Sequence, residues 1–471
     1  MRCLLPLLLL LVAASVAKAA DFAARFDDLV RTATPRQLYA LLYDLPKGGD
    51  LHNHAGGSDR PEWMFEILTD PARNGGDAFY TRARFGPETE PAARYRLIRR
   101  RTYEQLAPAA RAGYVPLADL SPAERIAWAN AFRLDAPGEG RDEFFNVIWP
   151  RRGDLSQNLD ARLELLVVNL QAFAAEGLAY LETQFGLDGL VTPDGRALTP
   201  AEAAPLIERR LAQPDVVATG VVVRFQDTVI RFRPDAEARL SEIYAFVAAH
   251  RDRWVGINMA GIESDPRGRP LRFLSTLRRL RAQHPTLSLS FHAGEMDGAD
   301  SHVRDTLLLG ASRLGHAVNL IKDPDTLLLL QQQQRVLVEI NLISNRLLGY
   351  VPDLTQHPFP EYLRTGVPVC LNTDDRGMWD SNLTDEYFTA VTTYRLSWPE
   401  VVQLGRNSLA RAFVQPEVKA KLLAAYETRI AAFEQKYGAG SPTISDALGK
   451  VEKVKPVTYG YAKRTWGLEF R

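Results

Sequence analysis

Cysteine is almost missing from this chain: of 471 residues only Cys3 and Cys370 carry a thiol. A disulfide framework is thereby excluded, and the fold must rest on a core large enough to do without one. Cys370, in an apolar run, reads as a small buried hydrophobe on a strand. Net charge is missing too, with 57 basic against 57 acidic residues. That balance excludes the broad basic field a nucleic acid or an acidic membrane surface demands. The one basic run, Arg99-Arg100-Arg101, reads as a solvated helix face. Beyond the N-terminus there is no apolar run of membrane-spanning length.

The N-terminus is where such a run begins and stops short. Arg2 precedes the apolar stretch Leu4–Val16, and Ala17-Lys18-Ala19 offers small residues at the two positions a signal peptidase inspects. We expect a cleaved leader at 1–19, an exported (periplasmic or secreted) mature chain, and no membrane attachment after cleavage. Cys3 lies too early to serve as a lipid-attachment site.

What is present is a rhythm. Eight short β-rich runs alternate with helical stretches: Gly49–His54, Leu178–Gln184, Gly220–Phe225, Trp254–Met259, Leu287–His292, Arg313–His316, Val336–Ile340 and Val367–Asn372. Leu155–Glu176 and Ala236–His250 are the clearest helices between them. Eight such pairs predict an α/β fold, a closed (β/α)₈ barrel. N-terminal helices are expected at 20–46, the barrel over 47–440, and a tail at 441–471. An insertion at 59–150, after the first strand, carries helical pieces at Ala93–Leu106 and Pro122–Phe132. At that position it would wall or cover the barrel mouth. Helices are also expected at Trp398–Phe413 and Pro416–Tyr437.

The polar residues at the run ends carry the chemistry. The chain has eight histidines, and four of them close strands: His52 and His54 the first, His292 the fifth, His316 the sixth. Asp374 and Asp375 follow the eighth. Strand C-termini of a barrel meet at one mouth, where active sites are built. His52 and His54, two apart, point the same way. With His292 and Asp374 they form a nitrogen-rich set with one carboxylate that suits a single Zn²⁺ with a position left for water. Such an ion brings bound water toward neutral pKa, the requirement for hydrolysis. His316 is left to take a proton or orient the nucleophile, Glu295 to donate a proton, and Asp375 to hold a ring nitrogen. His250, His284, His302 and His357 receive no role.

These segments resemble the adenosine deaminase family of the amidohydrolase superfamily. The matching pieces, in family order, are Lys47–His54, Gly256–Gly261, Phe291–Glu295, Arg313–His316 and Leu371–Asp375. The resemblance implies that His52, His54, His292 and Asp374 are zinc ligands. It makes Glu295 the acid that protonates purine N1, His316 the base that manages the water, Asp375 the partner of N7, and Gly261 a backbone contact near N3. The implied reaction converts adenosine or 2′-deoxyadenosine to inosine or 2′-deoxyinosine plus ammonia. The leader, the insertion, and Ile343–Leu348 followed by His357-Pro358 are similar to the secreted, growth-factor-like subgroup, which implies a homodimer. Three departures stand out: Ala317 replaces the usual Gly, Arg376 the usual Pro, and Asn258 the usual Asp. Arg376 would face the surface, reshape the ribose pocket or meet an anionic group. No lysine lies between Lys47 and Lys322, so strand 4 cannot supply the carboxylated lysine that bridges two metals in many superfamily members. Two alternatives remain. One is a mononuclear aminohydrolase of another aminated ring such as adenine, AMP or a triazine. The other is an exported binding or signalling protein without catalysis.

Overall fold

A computed structural model describes residues 22–470; the expected leader lies outside the described residues. Eight parallel strands form one sheet in sequence order. They are β1 (Gly49–His54), β2 (Tyr180–Gln184), β3 (Val222–Ile230), β4 (Trp254–Ala260), β5 (Ser288–Ala293), β6 (Arg313–His316), β7 (Leu337–Ile340) and β8 (Val369–Leu371). The sheet closes on itself where Asp374 bridges to Asn53. Asp374 N donates to His52 O at 2.9 Å and His54 N to Asp374 O at 3.1 Å. The fold is the expected (β/α)₈ barrel, and its closing seam runs through three of the candidate metal ligands, His52, His54 and Asp374. Strand β3 extends to Ile230, past the expected Phe225, after a register shift at Phe225/Gln226. The polar pair Gln226-Asp227 interrupts the strand's apolar residues, which is why its hydrophobic signal ends early.

The helices follow local chemistry. Leu159–Ala175 starts where Asn158 accepts from Ala161 N, and Pro122–Asn130 is opened by a reciprocal Ser121–Glu124 capping box. Near the N-terminus, helix 22–32 packs Phe22 and Phe26 on Trp398, with ring centroids 4.8 and 5.2 Å apart. Helices Trp398–Ala410 and Pro416–Tyr437 follow β8. The last helix, Gly460–Trp466, places Trp466 on Phe388 of the helix Leu383–Tyr394. Cys370 is fully buried on β8. Among the described residues no helix is long and apolar enough to cross a membrane.

The insertion differs from its expected form. Ala93–Leu106 is not one helix: Leu97–Arg99 is a strand and Arg100–Gln105 a short helix. Leu97–Arg99 and Val115–Pro116 flank Phe79–Thr81 in a small antiparallel sheet. Nor is the Arg99–Arg101 run one solvated face, because Arg99 is buried and ion-paired with Asp77. A helical period read across Leu97-Ile98 was overruled by the pairing of these apolar residues into a sheet. The insertion builds a core around Met64, Phe79, Leu97 and Trp128 that it shares with Ala161 and Leu165 of the helix Leu159–Ala175. A second cluster joins its Phe144 and Ile148 to Ile343, Leu348 and Trp379 near the ends of β7 and β8. Those contacts seat the segment Arg141–Arg152 over the barrel mouth, where the sequence placed a wall.

Candidate active site

Each strand end delivers its side chain to one point. His52 Nε2 and His54 Nε2 lie 3.1 and 3.2 Å from His292 Nε2. Asp374 Oδ1 is 3.5 Å from His52 Nε2 and 3.1 Å from His54 Nε2. The four ligand atoms all fall within 4.8 Å of one another. Asp374 adopts φ 52° and His316 φ 65°, the left-handed region that costs a non-glycine residue about 1–3 kcal/mol. Such strain is held only where the surrounding structure enforces it. Ala317, with φ 47°, shows why glycine is the easier residue there.

A buried acceptor orients each of two imidazoles. Glu339 Oε2 accepts from His52 Nδ1 at 2.8 Å, and Asn258 Oδ1 accepts from His292 Nδ1 at 3.1 Å. With the proton fixed on Nδ1, each Nε2 turns a lone pair to the centre, the arrangement metal-binding histidines require. Asn258, a departure from the usual Asp, still provides the oxygen. Asp374 Oδ1 is buried and accepts no hydrogen bond. Burial pushes its carboxyl up, but the His52 and His54 imidazoles beside it outweigh burial and hold it well below the usual range. Burial also disfavours the His52 cation, yet Asp374 and Glu339 keep its pKa at about 10. The cluster therefore demands positive charge at its centre. Converging lone pairs and an orphaned carboxylate oxygen fit a divalent cation, with His52, His54, His292 and Asp374 as the residues to hold it.

Around this cluster lies a cavity of about 240 Å³ lined by Glu295, His316, Asp375 and Gly261 as well as three of the four cluster residues. Glu295 is pushed well above the ordinary carboxyl range by burial, then by Asp374 and Glu263. Asp375 is raised by burial and by its neighbour Asp374, and its Oδ1 has no partner. Both shifts favour the protonated form, the one able to donate. His316 is held at about 3 by burial. Its tautomer is set by a chain of bonds: Phe359 N donates to His357 Nδ1, and His357 Nε2 to Asn345 Oδ1. Asn345 Nδ2 then donates to His316 Nδ1 at 3.1 Å. The neutral ring carries its proton on Nε2, which lies 3.8 Å from Glu295 Oε1 and 4.0 Å from Asp374 Oδ2.

The structure brings all seven predicted polar side chains and Gly261 to one mouth. It removes Arg376, which neither faces solvent nor enters the cavity. Its guanidinium is fully buried, pairs with Glu176 and stacks 4.0 Å over Phe173. The residue follows Asp375, but its side chain turns back to the end of helix Leu159–Ala175. Sequence reasoning missed Glu339, the lone acid in the apolar strand β7; a charge inside such a run is itself a signal of a buried partner. It also missed Glu263, whose carboxylate accepts from Gly294 N at 2.8 Å and Glu295 N at 2.6 Å, and His357, which anchors the His316 tautomer. The cavity's far wall, Phe144, Phe145 and Trp149 from the insertion with Phe232 after β3, is aromatic.

A (β/α)₈ barrel with a three-histidine, one-carboxylate cluster at its C-terminal mouth defines a hydrolase of the amidohydrolase superfamily. The adenosine deaminase family model matches residues 142–428. An adenosine deaminase of Enterococcus faecalis is 34% identical over 252 residues, 53% of this chain and 71% of the relative. Among solved structures, an amidohydrolase from Burkholderia ambifaria with bound Zn is 19% identical. Its TM-score is 0.62, with 88% of this chain and 95% of that one covered. Arabidopsis ADAL complexed with IMP is 20% identical with TM-score 0.62, covering 83% and 99%. The chain belongs to the adenosine deaminase family and is a hydrolase acting on C–N bonds.

Proposed function

We propose that the protein removes the 6-amino group of adenosine and 2′-deoxyadenosine, using one Zn²⁺ held by His52, His54, His292 and Asp374. The observation that carries this reading is the pairing of that cluster with two buried acids, Glu295 and Asp375, in one cavity, whose surroundings favour their protonated forms. A purine ring presents two acceptor nitrogens, N1 and N7, on either side of C6, and two donors are needed to meet them. The ion, when bound, supplies a water of near-neutral pKa. Glu295 gives its proton to N1, making C6 electrophilic, and recovers one from the attacking water. Water thus adds across C6–N1. The proton of the new C6 hydroxyl then passes to the amino group, ammonia leaves, and the 6-oxo product remains. His316, with its proton on Nε2, donates to the attacking oxygen and orients it. This refines the role of base that the family resemblance assigned to it. Asp375 donates to N7, and the backbone at Gly261, with φ 105°, lies close along the ring edge.

A nucleoside fits better than a nucleotide. Four arginines line the vestibule next to the cavity: Arg152, Arg233 and Arg239 are already paired with Asp59, Asp235 and Asp188, and Arg162 directs its N–H groups to the carbonyls of Ser156 and Gly186. Arg376 points elsewhere. The aromatic wall suits the apolar faces of base and sugar. The test is loss of the adenine absorbance band with adenosine, deoxyadenosine, adenine and AMP, with and without chelator. Turnover of the two nucleosides that chelator abolishes is expected. Turnover of AMP or adenine alone would overturn the substrate assignment.

A further inference from the structure

At the other end of the barrel lies a second cavity, of about 320 Å³. We propose that it is a binding site for a phosphate-bearing anion. It opens at the N-terminal ends of β4 to β7 and is closed by the link 411–415 between the helices Trp398–Ala410 and Pro416–Tyr437. Five cations line it: Arg251, Arg313, Arg335, Arg411 and Lys419, with the Ser312 hydroxyl among them and no carboxylate. In a chain of zero net charge such a one-sided lining is not the average surface.

The charges are largely unbalanced. Only Arg313 is neutralised, by the buried Glu182 and Glu339 at 2.5 and 2.7 Å. Arg251 donates to Thr286 and Arg411 to the carbonyl of Gln334. These bonds satisfy N–H groups and leave the charges in place. Among the described residues none of Arg251, Arg335, Arg411 and Lys419 makes an ion pair. Burial lowers the Lys419 pKa, and Arg313 and Arg411 push it the same way against Glu182. The 22-residue helix Pro416–Tyr437 turns its first turn, with Lys419, to the cavity and adds the positive end of its dipole. Glu417 on that turn is exposed and outside the lining. Guanidinium forks converging without a carboxylate recognise phosphate oxygens, and the space admits more than one phosphate group. Strand β6, with Arg313 at its base and His316 at its top, separates this cavity from the active site by about 10 Å.

The experiment is calorimetric titration of the purified full chain at constant ionic strength with inorganic phosphate, pyrophosphate and uridine 5′-diphosphate. Two variants run beside it: the double variant Arg335→Gln/Lys419→Gln, and His292→Ala, which disables the metal cluster. Saturable binding is expected that the double variant weakens at least tenfold while its unfolding midpoint is unchanged, and that His292→Ala leaves alone. Pyrophosphate binding as tightly as the nucleotide supports recognition of phosphate groups alone; tighter nucleotide binding supports a nucleotide ligand at the same site. The proposal fails if no anion saturates at millimolar concentration, if the double variant binds like the parent, or if His292→Ala abolishes binding.

Discussion

At the scale of single residues, the account rests on where protons sit. The protonated form of Glu295 is favoured because burial withholds water from the carboxylate and Asp374 and Glu263 repel its charge. An acid must be protonated to act, so activity holds below its raised pKa and is lost as pH rises through it. A pH profile of kcat should therefore show an alkaline limb of unit slope. Glu295→Gln should keep the metal while kcat falls about 10²–10⁴-fold, the usual weight of a general acid. Glu339 tests the layer behind. Glu339→Gln leaves an oxygen for His52 Nδ1 but removes the charge, and metal affinity should drop about 10–100-fold in a chelator competition. That His52, His54, His292, Asp374, Glu295, His316 and Asp375 meet was legible because each ends or follows a β-rich run, and strand ends of a barrel share one mouth. The His316 tautomer was not legible, since it depends on His357 and on Asn345 of the short helix Leu342–Leu347, which only the fold after β7 brings close.

At the scale of elements, the insertion separates what periodicity can and cannot show. Pro122–Asn130 has a cap, a proline start and a buried Trp128, all local signals, and it read correctly. Leu97–Arg99 has three residues and is a strand only because Phe79–Thr81 lies beside it, a non-local cause. Its π-helical turn Phe144–Ile148 sets Phe144 and Phe145 against the cavity. Trp149→Ala should open that wall, raising KM for adenosine about tenfold with kcat changed far less, measured by initial rates. Arg376 acts between elements, tying the β8 loop to the end of helix Leu159–Ala175. Removing one partner of a buried pair strands the other charge, so Arg376→Ala should cost about 3–5 kcal/mol in denaturant unfolding. KM of the remaining folded enzyme should be unchanged; a large rise in KM would return Arg376 to the substrate pocket.

At the scale of the whole molecule, closure of the barrel and assembly of the site are one event. The seam between β1 and the chain after β8 is pinned by Asp374, and the ligands come from β1, β5 and that seam. An ion bound there cross-links three positions far apart in sequence, so binding should stabilise the folded state, with the unfolding midpoint rising with free metal. The most direct measurement is a titration of metal-stripped protein with Zn²⁺, following adenosine deamination and bound metal together. The account predicts activity that rises linearly and stops at one ion per chain. Full activity in the stripped protein, or a plateau reached only at two ions, would contradict it.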